Sequence, residues 1–186
     1  MKVDVFEHRD ERGDVLYVER YECIVPVSKI DHHEQYKSHC EFCKRYGKNL
    51  ACPPYSPTCI EHINGAKSAK VICIRIPLEY FHQTIPEERY RAGFRRARDL
   101  LVNELLESRG QGFRVAGSGP CLACENCAIE EGDENCRNPH ERIYSLESLG
   151  VNVVALVQDN FDFQLEWSDG SRDADYVSAV GAVFLK

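Results

Sequence analysis

The sequence predicts an α+β (α/β) fold: a single mixed or antiparallel sheet with two or three packed helices and two cysteine-rich metal loops. Three observations predict it. Strand-like and helix-like segments interleave as strand, loop, helix, strand, long helix, strand, loop and three further strands. The connections into the last strands are short, which favours antiparallel or mixed pairing over a doubly wound sheet. Eight of the ten cysteines fall in two loops with ligand-like spacing.

In order, residues 3–6 and 15–27 read as strands, with Glu11-Arg12-Gly13-Asp14 as the turn between them. Tyr21, Cys23, Val25 and Val27 share one face of the second segment, which makes Cys23 a small core residue. Pro26 ends that strand or places it at an edge. The first cysteine loop follows, with Cys40, Cys43, Cys52 and Cys59. Thr58-x-x-Glu61 is a capping-box pattern opening a short helix over residues 58–69, with Gly65 as its weak point. Cys59 then sits in the first turn, where the helix N-terminus would lower its thiol pKa. It is either a fourth ligand or a buried first-turn residue.

Residues 71–77 form a strand with Ile72, Ile74 and Ile76 on one face and Val71 and Cys73 on the other. Thr84-Ile-Pro86-Glu87 is a second capping box, opening the longest helix to about Ser108, closed by Gly110. Tyr90, Phe94, Ala97, Leu101 and Leu105 make its buried stripe. Arg89, Arg91, Arg95, Arg96 and Arg98 read as a solvated face, the alternative being a patch for an acidic partner or a phosphate-bearing cofactor. Residues 112–117 form a short strand leading into the second cysteine loop. Beyond Pro139, residues 143–149 read as a short helix, 151–157 as a buried strand, 161–167 as an alternating strand and 177–185 as the last strand. Asp169-Gly170 marks the turn before it. Residues 1–186 are expected to form one domain, with residues 1–18 as an N-terminal hairpin extension.

Lys and Arg number 23 against 30 Asp and Glu, a formal charge of −7, which argues against a nucleic-acid or anionic-membrane surface. The first residues are charged where a secretory signal needs an apolar stretch, and no apolar run has bilayer-spanning length. A cytoplasmic protein is expected. Clustered cysteines fit metal-bound thiolates in a reducing compartment better than long-range disulfides.

The second loop, Gly117 to Pro139, carries Cys121, Cys124, Cys127 and Cys136 as C-x2-C-x2-C-x8-C. Two-residue spacers let three thiolates converge, a common way of presenting three corners of a cubane iron–sulfur cluster. Gly117 and Gly119 would bring backbone N–H groups close to a sulfur-rich anion and tolerate positive φ. The simplest allocation gives each loop one centre. Cross-ligation by Cys52 or Cys136, or one shared site, remains open.

The pairing of C-x2-C-x2-YG-x4-CPP (Cys40, Cys43, Tyr46-Gly47, Cys52-Pro53-Pro54) with C-x2-C-x2-C-x8-CRxP (Cys121 to Pro139) resembles the predicted metal-binding proteins of domain-of-unknown-function family 2284. The likeness runs from about Cys23 onward and includes the glycine-containing segment Leu149-Gly150-Val151. It implies cysteine-rich metal binding with a suspected iron–sulfur cluster, and no reaction. Function is thus expected to be metal binding, with one or two [4Fe–4S] clusters serving electron transfer or cofactor-related redox chemistry. Arg137, beside the last ligand, would tune the potential or contact a redox partner or metallo-cofactor enzyme. The alternatives are a structural-zinc interaction module and an enzyme using an open cluster site on a small substrate or metallo-cofactor.

Overall fold

The computed structural model describes residues 1–9, 13, 15–82, 84–168 and 174–186, with only the backbone of Pro86 and Glu87. Six strands form one mixed sheet: β1 (Lys2–Arg9), β2 (Val15–Pro26), β3 (Ser68–Pro77), β4 (Arg114–Gly117), β5 (Tyr144–Ser145) and β6 (Tyr176–Leu185). Their order is β1-β2-β3-β6-β4-β5, antiparallel throughout except for the parallel β4–β5 pair. Among the described residues three α-helices, α1 (Cys59–Ile63), α2 (Pro86–Gly110) and α3 (Val153–Asn160), accompany the sheet.

The central strand β3 shows why the sheet is covered on both faces. Ile72, Ile74 and Ile76 pack in one apolar cluster with Ala97, Leu101 and Leu105 of α2. Val71 and Cys73 point the other way, into a cluster with Cys59 and Ile63 of α1 and Val153, Leu156 and Val157 of α3. Alternation with period two distributes the strand between two cores, so it reads as almost continuously apolar. Each fully buried isoleucine contributes roughly 1.5–3 kcal/mol. Helix α2 lies close to the sheet because two glycines make room: a Cβ on Gly93 of α2 would meet Val177 at 2.9 Å, and one on Gly181 of β6 would meet Leu105 of α2 at 3.0 Å. Arg20 of β2 joins the layers through Glu104 of α2, at 2.9 and 2.5 Å.

Several expected elements differ. Residues 151–157 do not form a strand; Val151 makes only an isolated bridge with His32, and α3 begins at Val153. The side chain of Asn152 accepts from the Ala155 N–H at 3.1 Å, capping the helix, and Val153, Leu156 and Val157 are its buried face at i, i+3 and i+4. Residues 161–167 are not a strand either. Phe161 and Phe163 stack on each other at 5.7 Å and pack against Tyr21, so their alternation serves an aromatic cover over the sheet. Residues 143–149 hold the two-residue β5 and a 3-10 turn, Glu147–Leu149.

The Thr58–Glu61 capping box is present, but α1 stops after Ile63 because Asn64 and Gly65 take φ of 48° and 78°. Helix α2 is entered from Ile85 with Pro86 in its first turn, which leaves Thr84 outside the cap position. The turns assigned to Glu11, Arg12 and Asp14 and to Asp169-Gly170 lie outside the described residues. No helix among the described residues is long and apolar enough to cross a membrane.

His62 is buried on α1, its Nε2 2.9 Å from the Val115 carbonyl and its ring edge-on to Tyr144 and Phe184. Burial lowers its pKa to about 4. The unfolded chain, with a histidine pKa of about 6.5, therefore binds the extra proton first on acidification. Stability from this group is complete above that value and is lost as pH falls toward 4, by about 3 kcal/mol in the limit. Denaturant unfolding of wild type and His62→Phe between pH 7 and 4 should show a flatter pH dependence in the variant; equal slopes would contradict it.

Candidate metal centre

The first cysteine loop is built from stacked tight turns. The 3-10 helix Glu34–Phe42 starts on His33, whose Nδ1 accepts from the Gln35 N–H, and it ends just past Cys40. Cys43 N–H donates to the Cys40 carbonyl at 2.9 Å, and Tyr46 N–H to the Cys43 carbonyl at 3.0 Å. Gly47, at φ 67°, then reverses the chain, and its N–H closes the loop on the Pro53 carbonyl at 3.0 Å. Cys52 N–H donates to the Asn49 carbonyl at 2.8 Å. Ser56 Oγ anchors the far end by donating to the Ser148 carbonyl at 2.6 Å.

The second loop is set by an arginine of α2. Arg98 is buried and donates through Nε to the Ser118 carbonyl at 3.1 Å and through Nη2 to the Pro120 carbonyl at 2.8 Å. These carbonyls flank Gly119, which takes φ 69° beside the Phe94 ring. Gly119 thus has the left-handed backbone expected of it. Gly117 does not: its need is space, since a Cβ there would meet Ile143 at 3.0 Å and Leu105 at 3.3 Å. Asn138 Nδ2 donates to Cys124 Sγ at 3.2 Å and to the Ala123 carbonyl at 3.1 Å. Arg137 braces the loop, pairing with Glu131 at 3.1 Å and donating to the Asn126 carbonyl at 3.1 Å.

The two loops meet. Asn49, buried between them, donates through Nδ2 to the Cys121 carbonyl at 3.0 Å and accepts at Oδ1 from the Ala51 N–H at 2.9 Å. The Leu50 N–H points at Cys127 Sγ, 3.3 Å away. An N–H aimed at sulfur is the donor type that stabilises metal-bound thiolate. Burial pushes the Cys52 thiol up to about 11, with further upward pressure from Cys43, Cys40 and Cys121. Cys40 is raised by burial first, then by Glu147 and Cys43. Cys40, Cys43, Cys52 and Cys121 are therefore electrostatic neighbours drawn from both loops.

Cys59 is elsewhere. It is buried in the apolar cluster with Val25, Ile63 and Val71, and burial raises its thiol to about 11. The lowered pKa expected from the helix N-terminus is reversed, because desolvation in an apolar core outweighs the dipole of a five-residue helix. Cys73 is fully buried with a pKa of about 12, and the half-buried Cys23 is raised by burial as well. His39 and the cysteines at 40, 43 and 52 line a common cavity. Among the described residues no three His, Cys, Asp or Glu side chains converge closely enough to hold a metal as they stand. The two loops touch through Asn49 and Leu50, and metal binding would have to draw their thiols onto common points.

Three residues of the site escaped sequence reading. Nothing in the sequence marks Asn49 or Asn138, since loop asparagines usually cap or turn. Glu147 looked like part of a helix. Arg98, read with its neighbours as a solvated face, is buried instead: it falls at i+4 in the i, i+4, i+7, i+11 series with Phe94, Leu101 and Leu105, the buried stripe of α2, while Arg91 and Arg95 are exposed.

A family model described as "Predicted metal-binding protein (DUF2284)" matches residues 23–185. Comparison with curated proteins and with solved structures found no match.

Arg98→Ala should leave the Ser118 and Pro120 carbonyls without their donor and destabilise the fold by about 1–3 kcal/mol. Alkylation of the metal-free protein, mapped by mass spectrometry, should then speed at Cys121 and Cys124 more than at Cys40 and Cys43. Arg95→Ala should change neither; equal behaviour of the two variants would remove Arg98 from its positioning role.

Proposed function

The chain belongs to this family of predicted metal-binding proteins, and on that premise we propose that it is an electron-carrying iron–sulfur protein with [4Fe–4S] centres on its two cysteine loops. The observation that carries the reading is the neighbourhood of Cys52. Its thiol feels Cys40 and Cys43 of its own loop and Cys121 of the other, while Cys59 is sequestered in the apolar core. Cys40, Cys43 and Cys52 are accordingly the first loop's ligands in this reading, and Cys121, the second-loop thiol that Cys52 feels, is the candidate to complete them. Cys124, Cys127 and Cys136 are the candidates for the second centre.

The donor set fits the group. Soft thiolates are the ligands that iron–sulfur clusters take, and the N–H groups of Leu50 and Asn138 already point at sulfur. When bound, such a cluster supplies a redox couple tuned by hydrogen bonds and solvent exposure. The chain's own contribution is to orient and shield. Asn49, Arg98 and Arg137 hold the loop backbones, and burial of Cys52 limits water at one corner. Phe42, 91 % exposed beside Cys43, and Leu122, 52 % exposed beside Cys121, offer apolar surface next to the ligands. A protein redox partner docking there would bring its own centre close to the cysteine loops.

Protein purified without oxygen should be brown and contain iron and acid-labile sulfide in equal amounts. Cys121→Ser should lose the iron of the first centre, whereas Cys59→Ala should keep wild-type stoichiometry even if its melting temperature falls. Loss of iron from Cys59→Ala would overturn the assignment, and a colourless zinc protein would overturn the cluster.

A further inference from the structure

Beside the first cysteine loop lies a cavity of about 660 Å³, within the range that holds a small organic ligand. Cys40, Cys43 and Cys52 line it together with groups from α2, the start of α3, β6 and the 3-10 turn at Glu147, so it extends well beyond the thiols. Its lining is rich in rings: Tyr36, Tyr46, Tyr90, Phe94 and Trp167. The hydroxyls of Tyr36 and Tyr90 are committed elsewhere, to Asp31 at 2.8 Å and to the Glu166 carbonyl at 2.9 Å. Ring surface is therefore what these two have left to offer a ligand.

The charge in this cavity is one-sided where it counts. Glu147 lines this cavity with its side chain accessible, and its carboxylate accepts from its own backbone N–H and from the Ser145 hydroxyl. It has no ion-pair partner among the described residues. The second carboxylate of the lining, Glu166, is already held by Arg75 at 3.2 Å and by the Asp175 N–H at 2.8 Å. Arg45 is the cation of the wall, and it lies on an exposed stretch of the cysteine loop. A carboxylate without a counter-charge in a cavity walled by aromatic rings is the combination that recognises organic cations, through charge and through the ring quadrupoles.

We propose that this cavity binds a small organic cation, a protonated amine or quaternary ammonium, with Glu147 as counter-ion and the aromatic wall around its apolar part. Desolvation raises the Glu147 pKa, and a bound cation would relieve that cost. The proposal goes beyond the electron-carrier reading, since it gives the protein a small-molecule site adjoining the metal loop.

The test uses the full chain as purified without oxygen, with its metal. Benzyltrimethylammonium is titrated by calorimetry, with phenylacetate and benzyl alcohol as anionic and neutral comparators. Trp167, the single tryptophan of the chain, reports occupancy through its emission. The cation should bind saturably and at least tenfold more tightly than either comparator. Glu147→Gln should weaken it at least tenfold at unchanged melting temperature. If that variant fails to fold, Tyr46→Leu should still weaken the cation several-fold. Equal binding of the three probes, or an unchanged affinity in the folded variants, would overturn the proposal. Iron, zinc and sulfide are counted in the same samples. A sample that binds the cation but holds no metal would refute the metal reading alone; one that holds metal but ignores the cation would refute the cavity alone.

Discussion

The buried amide of Asn49 joins the two halves of the candidate metal centre. Its oxygen shapes its own loop by accepting from Ala51, and its nitrogen reaches across to the backbone carbonyl of Cys121, 72 positions away. Neither loop has enough regular structure to fix itself in space. The sheet brings them near each other, because β4 delivers the second loop beside β6 and the 3-10 turn after β5 receives the anchor of the first through Ser56. Asn49 and the Leu50 N–H then turn nearness into register, setting Cys127 and Cys121 against the first loop.

Thiol chemistry explains why such a site calls for a metal. Cys52 is driven up to about 11 and Cys40 is raised too, so without a cation these groups are protonated at neutral pH. Metal binding must release those protons, which couples affinity to pH and to the stability of the loops. Cys59 and Cys73 are raised as well, but each sits in apolar surroundings with no second thiol among the influences on it. A raised pKa therefore does not separate ligand from core cysteine here; neighbours do.

The sheet, the long helix and both cysteine loops were legible because their signals are local. Period-two isoleucines marked β3, a 3.6-residue stripe marked α2, and C-x2-C spacing marked the loops. What was misread depends on contacts distant in sequence. The valine-rich run at 151–157 carries no periodicity that separates strand from buried helix, and the Asn152 cap decides it. The alternating phenylalanines at 161 and 163 serve an aromatic cluster with Tyr21 instead of a ladder. The surroundings of Cys59 could not be read from its capping box, because the box fixes where a helix starts and says nothing of what covers it.

X-ray absorption at the iron edge of protein purified without oxygen addresses the central claim most directly, since it sees the atoms around the metal. Gathered thiolates of the two loops predict a first shell made of sulfur alone, followed by a shell of neighbouring iron. An iron-free sample whose zinc edge shows four sulfurs, or a first shell of oxygen and nitrogen without an iron neighbour, would contradict the account.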